Sequence, residues 1–169
     1  MDFSIRPPKP EDLKDVFRMV TELSLLGKSP ELEISSEELG QDLFCETPFL
    51  QCLIAEVPEH CKTHKGQTAV AYTLFTNAYC TWNGRAVHLG DFYVMPECRG
   101  KGVGKALLST VAKVGKEQHC AIMLTEMREN TPLIDFYIAK GAEDLKVTER
   151  RHFLCFDGDA VDKLAQEAP

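Results

Sequence analysis

The spacing of hydrophobic residues along the chain alternates between a helical period and runs typical of strands. Leu13, Val16, Phe17, Val20 and Leu23 keep the period of an amphipathic helix, because side chains three or four positions apart share one helix face. Acidic residues just before them favour a helix start. Similar signals predict helices at about 35–43, where Ser35-Ser36-Glu37-Glu38 carries capping residues, at 102–118 and 130–141, and a short polar helix or tail at 157–166.

Runs rich in β-branched and aromatic residues predict strands between these helices. Asn83-Gly84 is a strong hairpin signal, so the two runs beside it are expected to be antiparallel neighbours. The run after the 102–118 helix is expected to pair in parallel, since a helix connects it to the strand before. The predicted strands are 3–6, 50–57, 68–79, 87–95, 120–126 and 152–156.

Together these elements predict an α/β fold in a single domain over residues 1–169. An antiparallel N-terminal meander leads into a β-α-β-α unit, which gives a mixed sheet flanked by helices. A chain of 169 residues with 44% hydrophobic residues is long enough to bury one core of this kind.

The strand predicted at 87–95 leads into a turn that contains Arg99, Gly100, Gly102 and Gly104, and a helix follows. A turn of this kind points the free backbone N–H groups of the first helical turn at one place. The helix dipole is also positive there, so the turn is predicted to hold a pyrophosphate.

Spacing separates three kinds of nucleotide-binding loop. A Walker loop needs Ser or Thr after its Gly-Lys pair, where this chain has Ala106. A dinucleotide fingerprint needs a third glycine at the place of Lys105 or Leu107. The pattern that fits residues 99–104 is R-x-x-G-x-G.

This pattern, directly after Phe92-Tyr93-Val94-Met95, resembles the acetyl-CoA signature of the GCN5-related N-acetyltransferases. The order of elements is similar to that superfamily from end to end, and the chain resembles most its diamine (spermidine/spermine) and thialysine N-acetyltransferases. The resemblance implies direct acetyl transfer from acetyl-CoA to a primary amine of a polyamine, a diamine or a thialysine-like amino acid. The segments that carry it are 48–49, 52–57, 81–85, 91–97, the glycine turn, 130–132, 136–137 and 141–142.

The resemblance also implies the role of individual residues. Tyr137 corresponds to the general acid that protonates the leaving thiolate. Substrate contacts are expected from Trp82, Asp91 and Glu149. The residues expected to bind acetyl-CoA are Phe92, Tyr93, Val94, Arg99, Gly100, Lys101, Gly102, Val103, Gly104, Lys105, Asn130, Thr131, Pro132 and Leu133.

One position departs from the family. Gly90 stands where the family has a Glu that takes the proton from the amine. In a regular strand, His88 shares a face with Gly90 and Asp91 points the other way. Three hypotheses follow: His88 replaces the carboxylate as a catalytic base, since imidazole changes protonation near neutral pH; an acid comes from another element; or the amine arrives neutral and water accepts the proton.

The net charge and the cysteine content limit which binding partners and which cellular compartment are expected. The net charge of -7 disfavours nucleic acid and suits a cationic amine. No apolar run approaches the roughly 20 residues of a membrane span, and no targeting segment is recognised, so a cytoplasmic protein without a membrane partner is expected.

Seven scattered cysteines without a C-x-x-C pair favour reduced thiols over disulfides or zinc. The cluster of His60, Cys61 and His64 lacks a fourth ligand, and no metal is expected.

Resemblance to the diamine branch further implies a homodimer. Two alternatives to a small-amine acetyltransferase stay open. In the first, the acceptor is a protein lysine or amino terminus. In the second, which the glycine at position 90 suggests, the chain is a CoA-binding regulatory protein with weakened catalysis.

Overall fold

The computed structural model describes residues 1–27, 32–127, 131–152, 154–156 and 158–168, and only the backbone of Thr131. The chain divides into two compact units, a first unit at Met1–Glu126 and a second unit at Met127–Pro169. The prediction of one domain over the whole chain stays a prediction.

Within its described residues, the first unit contains a mixed sheet of five strands in the order β1-β2-β3-β4-β5. The first four strands pair antiparallel, and β4 and β5 pair in parallel, which confirms the predicted meander and crossover. The strands are β1 (Ser4–Arg6), β2 (Gln51–Glu56), β3 (Ala69–Cys80), β4 (Gly84–Val94) and β5 (Ile122–Thr125), and the helices of this unit are α1 (Leu13–Leu26), α2 (Ser36–Phe44) and α3 (Val103–Glu117).

The helices α1 and α3 cover opposite faces of the sheet. Tyr72 and Tyr93 are paired across β3 and β4, and the Tyr93 hydroxyl donates to Glu22 of α1 at 2.8 Å. Val87 lies on the other face, where it packs closely against Gly115 of α3. Burying each large apolar side chain between the sheet and a helix contributes about 1.5–3 kcal/mol.

The start of α2 confirms the capping signal at Ser35. The Glu38 N–H donates to the Ser35 hydroxyl at 3.1 Å, and the Ser35 N–H donates to the Glu38 carboxylate at 2.7 Å. This reciprocal pair satisfies two donors that the first turn of the helix cannot use internally.

The second unit contains α4 (Thr131–Ile138), α5 (Leu145–Thr148) and α6 (Gly158–Gln166). The helices expected near 130–141 and 157–166 are therefore present. The strand predicted at 152–156 is wrong: His152 and residues 154–156 have irregular backbone, and residue 153 lies outside the described residues. Leu154 and Phe156 are 80% and 67% exposed. A five-residue apolar run does not form a strand without a neighbouring strand to pair its backbone groups.

Candidate active site

The turn between β4 and α3 has the geometry of an anion site. Gly100 and Gly102 have φ angles of +72° and +87°, in the left-handed region that favours glycine. Gly102 is the N-cap of α3, no side chain caps the helix, and its first turn holds no acid. The first helical bond runs from the Ala106 N–H to the Gly102 carbonyl at 3.0 Å. The N–H groups of residues 103–105 precede that bond, so helix geometry leaves them available to an anion.

Side chains around this turn differ in what they offer a ligand. Lys101 and Lys105 are exposed. Arg99 is exposed too, and its Nε donates to the Val94 carbonyl at 2.9 Å, which holds the turn against the end of β4. Val103 and Tyr93 are buried, so only their backbone groups are available. The predicted contact of these residues with acetyl-CoA stays a prediction.

A β-bulge interrupts β4 at Gly90, the position at which the resemblance implies a Glu. Leu74 of β3 pairs with Asp91, and the next residue, Phe75, pairs with Leu89. Gly90 is therefore the extra residue of β4, and it is exposed. The ladder between β4 and β5 also reaches only as far as Leu89.

This bulge corrects the arrangement of faces that regular alternation predicts. His88 pairs with Thr76 and Asp91 pairs with Leu74. Because Thr76 and Leu74 are two residues apart on β3, His88 and Asp91 lie on the same face of the sheet. The expectation that they point in opposite directions is wrong, since an extra residue shifts the alternation by one.

The side chain of His88 has an acidic partner that the sequence did not reveal. Its Nε2 lies 3.7 Å from Oε1 of Glu126. His88 pairs with Leu124 in the parallel ladder, and Glu126 lies two residues further along the chain. Only the register of this ladder could have identified the pair, because the two residues are far apart in sequence and neither belongs to a motif.

Asp91 faces the interior of the first unit. Its Oδ2 accepts a hydrogen bond from the Tyr72 hydroxyl at 2.8 Å. Burial raises the pKa of the Asp91 carboxyl above its ordinary value, and the hydrogen bond from Tyr72 opposes that shift only in part. Burial and the nearby Asp91 charge likewise raise the pKa of the Tyr72 hydroxyl. Asp91 therefore has a structural partner, and its expected contact with substrate stays a prediction.

Trp82, the other substrate contact expected in the first unit, lies in the turn between β3 and β4. Its side chain is 84% exposed. The turn is closed by a hydrogen bond from the Asn83 N–H to the Cys80 carbonyl at 3.1 Å, as the Asn-Gly signal predicted.

The general acid expected from the resemblance, Tyr137, lies on α4 of the second unit and is buried. Its ring centroid lies 5.4 Å from that of Phe136. The helix ends in a Schellman motif, with Gly141 at a φ of +94° and the Ala142 N–H donating to the Tyr137 carbonyl at 3.1 Å. This ending fixes the backbone of Tyr137.

The remaining predicted residues also belong to the second unit. Pro132 and Leu133 lie in the first turn of α4, and Asn130 lies outside the described residues. Glu149 follows α5 and forms an ion pair with Arg151, with 2.6 Å between the carboxylate oxygen and the guanidinium nitrogen.

Among the residues that the structure describes, no group of three or more His, Cys, Asp and Glu side chains is arranged to hold a metal ion. None of the helices over these residues is both long enough and apolar enough to span a membrane.

Comparison with known proteins agrees with this arrangement of strand, turn and helix. A model of the acetyltransferase (GNAT) family matches residues 20–141, more than half of the chain. The thialysine N-epsilon-acetyltransferase of Bos taurus is 38% identical over 163 residues, which cover 95% of this chain and 96% of that protein. The spermidine/spermine N(1)-acetyltransferase-like protein 1 of Homo sapiens is 28% identical over 98% of this chain and 24% of its own length.

Solved structures show the same fold. The structure of AAC(6')-Iy in complex with a CoA-containing bisubstrate analog matches with a TM-score of 0.71 and 17% identity, over 94% of this chain and 99% of that one. It supports the mixed sheet and its flanking helices as the fold.

Proposed function

The chain belongs to the acetyltransferase (GNAT) family and is an N-acetyltransferase, and on that premise we propose that it transfers acetyl from acetyl-CoA to a primary amine of a small molecule. The observation that carries the proposal is the turn from β4 to α3. Two glycines in the left-handed region lead there into a helix that no side chain caps. Its first-turn N–H donors and positive dipole fit a pyrophosphate such as that of CoA.

The strand before this turn fits the pantetheine arm and the thioester. Within the described residues, β4 pairs with β5 only as far as Leu89, so residues 90–94 present a strand edge to that part of the chain. A pantetheine arm contains two amides, which can pair with such an edge as an added strand does. Backbone N–H groups at the same edge would stabilise negative charge on the thioester oxygen during attack.

Acetyl transfer needs one nucleophile and two proton movements. The neutral amine nitrogen attacks the thioester carbonyl carbon and forms the amide C–N bond while the C–S bond breaks. The amine gives up a proton, and the departing thiolate takes one to leave as the CoA thiol. Tyr137 would supply the second proton, since a phenol is protonated at neutral pH.

The role of Tyr137 is tested by Tyr137→Phe. The loss of its hydroxyl is expected to lower kcat by about 10²- to 10⁴-fold, with the Kd for acetyl-CoA unchanged because the ring remains. Tyr79→Phe is the control, because Tyr79 is exposed on β3 of the first unit and loses the same hydroxyl. A kcat equal to that of the wild type would exclude Tyr137 as the acid.

The amine is tested by release of free CoA thiol across a panel of acceptors. The panel contains thialysine, lysine, diamines, spermidine, and peptides with a free lysine or amino terminus. The Bos taurus relative supports thialysine as the first candidate, and the net charge of -7 favours any cationic amine. Turnover of small amines above that of peptides is the expected result. The reverse order would favour a protein acceptor.

A CoA-binding protein without turnover is the second candidate, and Gly90 is the observation that favours it. Acetyl-CoA would raise the melting temperature in both cases, since a ligand stabilises whatever folded state it binds. Thiol release separates the two. Stabilisation without release for any acceptor would leave only the binding protein.

A further inference from the structure

The strands β4 and β5 bring two titratable side chains together beside the bulge. Nε2 of His88 and Oε1 of Glu126 are 3.7 Å apart. This is slightly longer than a hydrogen bond but within the range of an ion pair once the imidazole is protonated. Both side chains are partly open to solvent, with 36% and 46% of their surface exposed, so protons can be exchanged with water.

The His88–Glu126 pair lies beside Gly90 and the unpaired part of β4. His88 precedes Gly90 by two residues, and the β4–β5 ladder ends between them, at Leu89. The pair therefore flanks the stretch of β4 that lacks both a carboxylate at residue 90 and pairing with β5. A base at that place lies next to the edge on which the proposed function puts the thioester.

We propose that Glu126 is a positioning residue that orients His88 and stabilises its protonated form, so that His88 takes the amine proton in place of the carboxylate missing at Gly90. The inference rests on the proposed function, because it concerns the same reaction. Glu126 faces Nε2, so it favours the tautomer with the proton on Nε2 and leaves the Nδ1 lone pair free to accept. The proton passes from the amine to Nδ1, directly or through one water, and the Glu126 carboxylate balances the positive charge.

Other charged groups on this face are engaged elsewhere. Asp91 shares the face with His88, but its carboxyl accepts from Tyr72. On α1, which packs on this face, Arg18 pairs with Glu22 at 2.9 Å and with Asp15 at 3.6 Å. Of the ion pairs among the described residues, the one that includes His88 is with Glu126.

The first test is the dependence of kcat/KM on pH in Glu126→Gln. A base must be unprotonated to act, and Glu126 favours the protonated imidazole, so its removal is expected to move the acidic limb to lower pH. His88→Gln is expected to remove this limb and to lower kcat/KM by about 100-fold. Adding Glu126→Gln to His88→Gln should then change nothing further.

Two variants control for charge and for folding. Glu59→Gln removes a carboxylate paired with Lys62 in the loop between β2 and β3 and should leave the profile unchanged. Gly90→Glu in the His88→Gln background returns a carboxylate to the strand, and at least a tenfold recovery of kcat/KM is expected. The backbone accepts a side chain there, because a Cβ at Gly90 meets only the Leu74 carbonyl oxygen within 4 Å, at 3.5 Å.

A second readout is independent of turnover. The NMR titration of the imidazole, assigned by its loss in His88→Gln, should move to lower pH in Glu126→Gln. An unshifted titration, or an acidic limb that persists in His88→Gln, would overturn the inference. Failure of the proposed function would instead show as wild-type protein that releases no CoA thiol with any acceptor.

Discussion

The carboxyl group of Asp91 lies against Tyr72 in the interior of the first unit, and this burial disfavours its ionised form. A buried carboxylate loses most of its hydration, and one hydrogen bond at 2.8 Å replaces only part of it. The pKa of Asp91 is therefore raised above its ordinary value of 3.8. Between 3.8 and the raised pKa, the folded protein binds more protons at this site than the unfolded chain does. The free energy of unfolding contributed by Asp91 therefore falls as pH rises through that interval.

Asp91→Asn should consequently be more stable than the wild type at neutral pH. The amide oxygen of Asn can still accept from Tyr72, and no charge has to be desolvated. The gain in the free energy of unfolding, measured with denaturant at a series of pH values, should be present at pH 7, shrink as the pH falls through the raised pKa of Asp91, and be lost by about pH 4.

Asp2→Asn is the matched control, since Asp2 is exposed outside the helices and strands and should show no such gain. A gain that is equal at pH 3 and pH 7 would mean that desolvation of the carboxylate is not its cause.

At the scale of elements, the turn from β4 to α3 sets the direction of the helix dipole and of the first N–H groups. The turn needs glycine at residue 102 because of the backbone conformation there, not because a side chain would clash. A Cβ added at Gly102 would meet nothing within 4 Å, but the φ angle of +87° is strained for any other residue. Relief of that strain would rotate the N–H groups that the proposed pyrophosphate contacts.

Gly102→Ala is therefore expected to raise the KM for acetyl-CoA about tenfold, which corresponds to about 1.4 kcal/mol. Gly66→Ala is the control, because Gly66 also has a left-handed φ, +76°, and open space around it, but lies in the loop between β2 and β3. Both variants should lose similar stability. An equal rise of KM in the two, or no rise in either, would contradict the assignment of the turn to CoA.

The same elements show what could be predicted from sequence. The glycine turn was predictable because Gly100 and Gly102 act through local backbone geometry, and α1 and α2 because periodicity and caps are also local. The bulge at Gly90 was not, since an extra residue in a ladder depends on the pairing of β3, which no local pattern records. The His88–Glu126 pair depends in the same way on the register of β5.

The misassigned strand at 152–156 has a related cause. The run around Leu154 has the composition of a strand, but a strand also needs a partner, and composition does not say whether one is near. At the candidate site, the family resemblance supplied the proposed role of Tyr137 and the proposed assignment of the turn to acetyl-CoA, whereas the acid at residue 126 came only from the fold.

At the scale of the whole first unit, one cluster joins elements that are distant in sequence. Both terminal nitrogens of Arg6 in β1 donate to the Asp12 carboxylate before α1, at 2.6 and 3.1 Å, and its Nε donates to Glu56 of β2 at 2.9 Å. The edge strand, its neighbour and the first helix are therefore held at one point. The hydrogen bonds from Arg6 to Asp12 lower the pKa of Asp12 below its ordinary value of 3.8.

Asp12→Asn tests how much this cluster contributes. A depressed pKa means that the unfolded chain takes up the proton first as pH falls, so the contribution is fully present above about pH 5 and is lost as pH falls through the lowered pKa. At pH 7 the free energy of unfolding of the variant should be about 1–2 kcal/mol lower than that of the wild type. This difference in stability should narrow progressively below pH 4. Asp42→Asn, an exposed position on α2, should change stability by less than about 0.5 kcal/mol. A difference for Asp12→Asn that stays constant down to pH 2 would show that the ionised carboxylate is not the source of the stability.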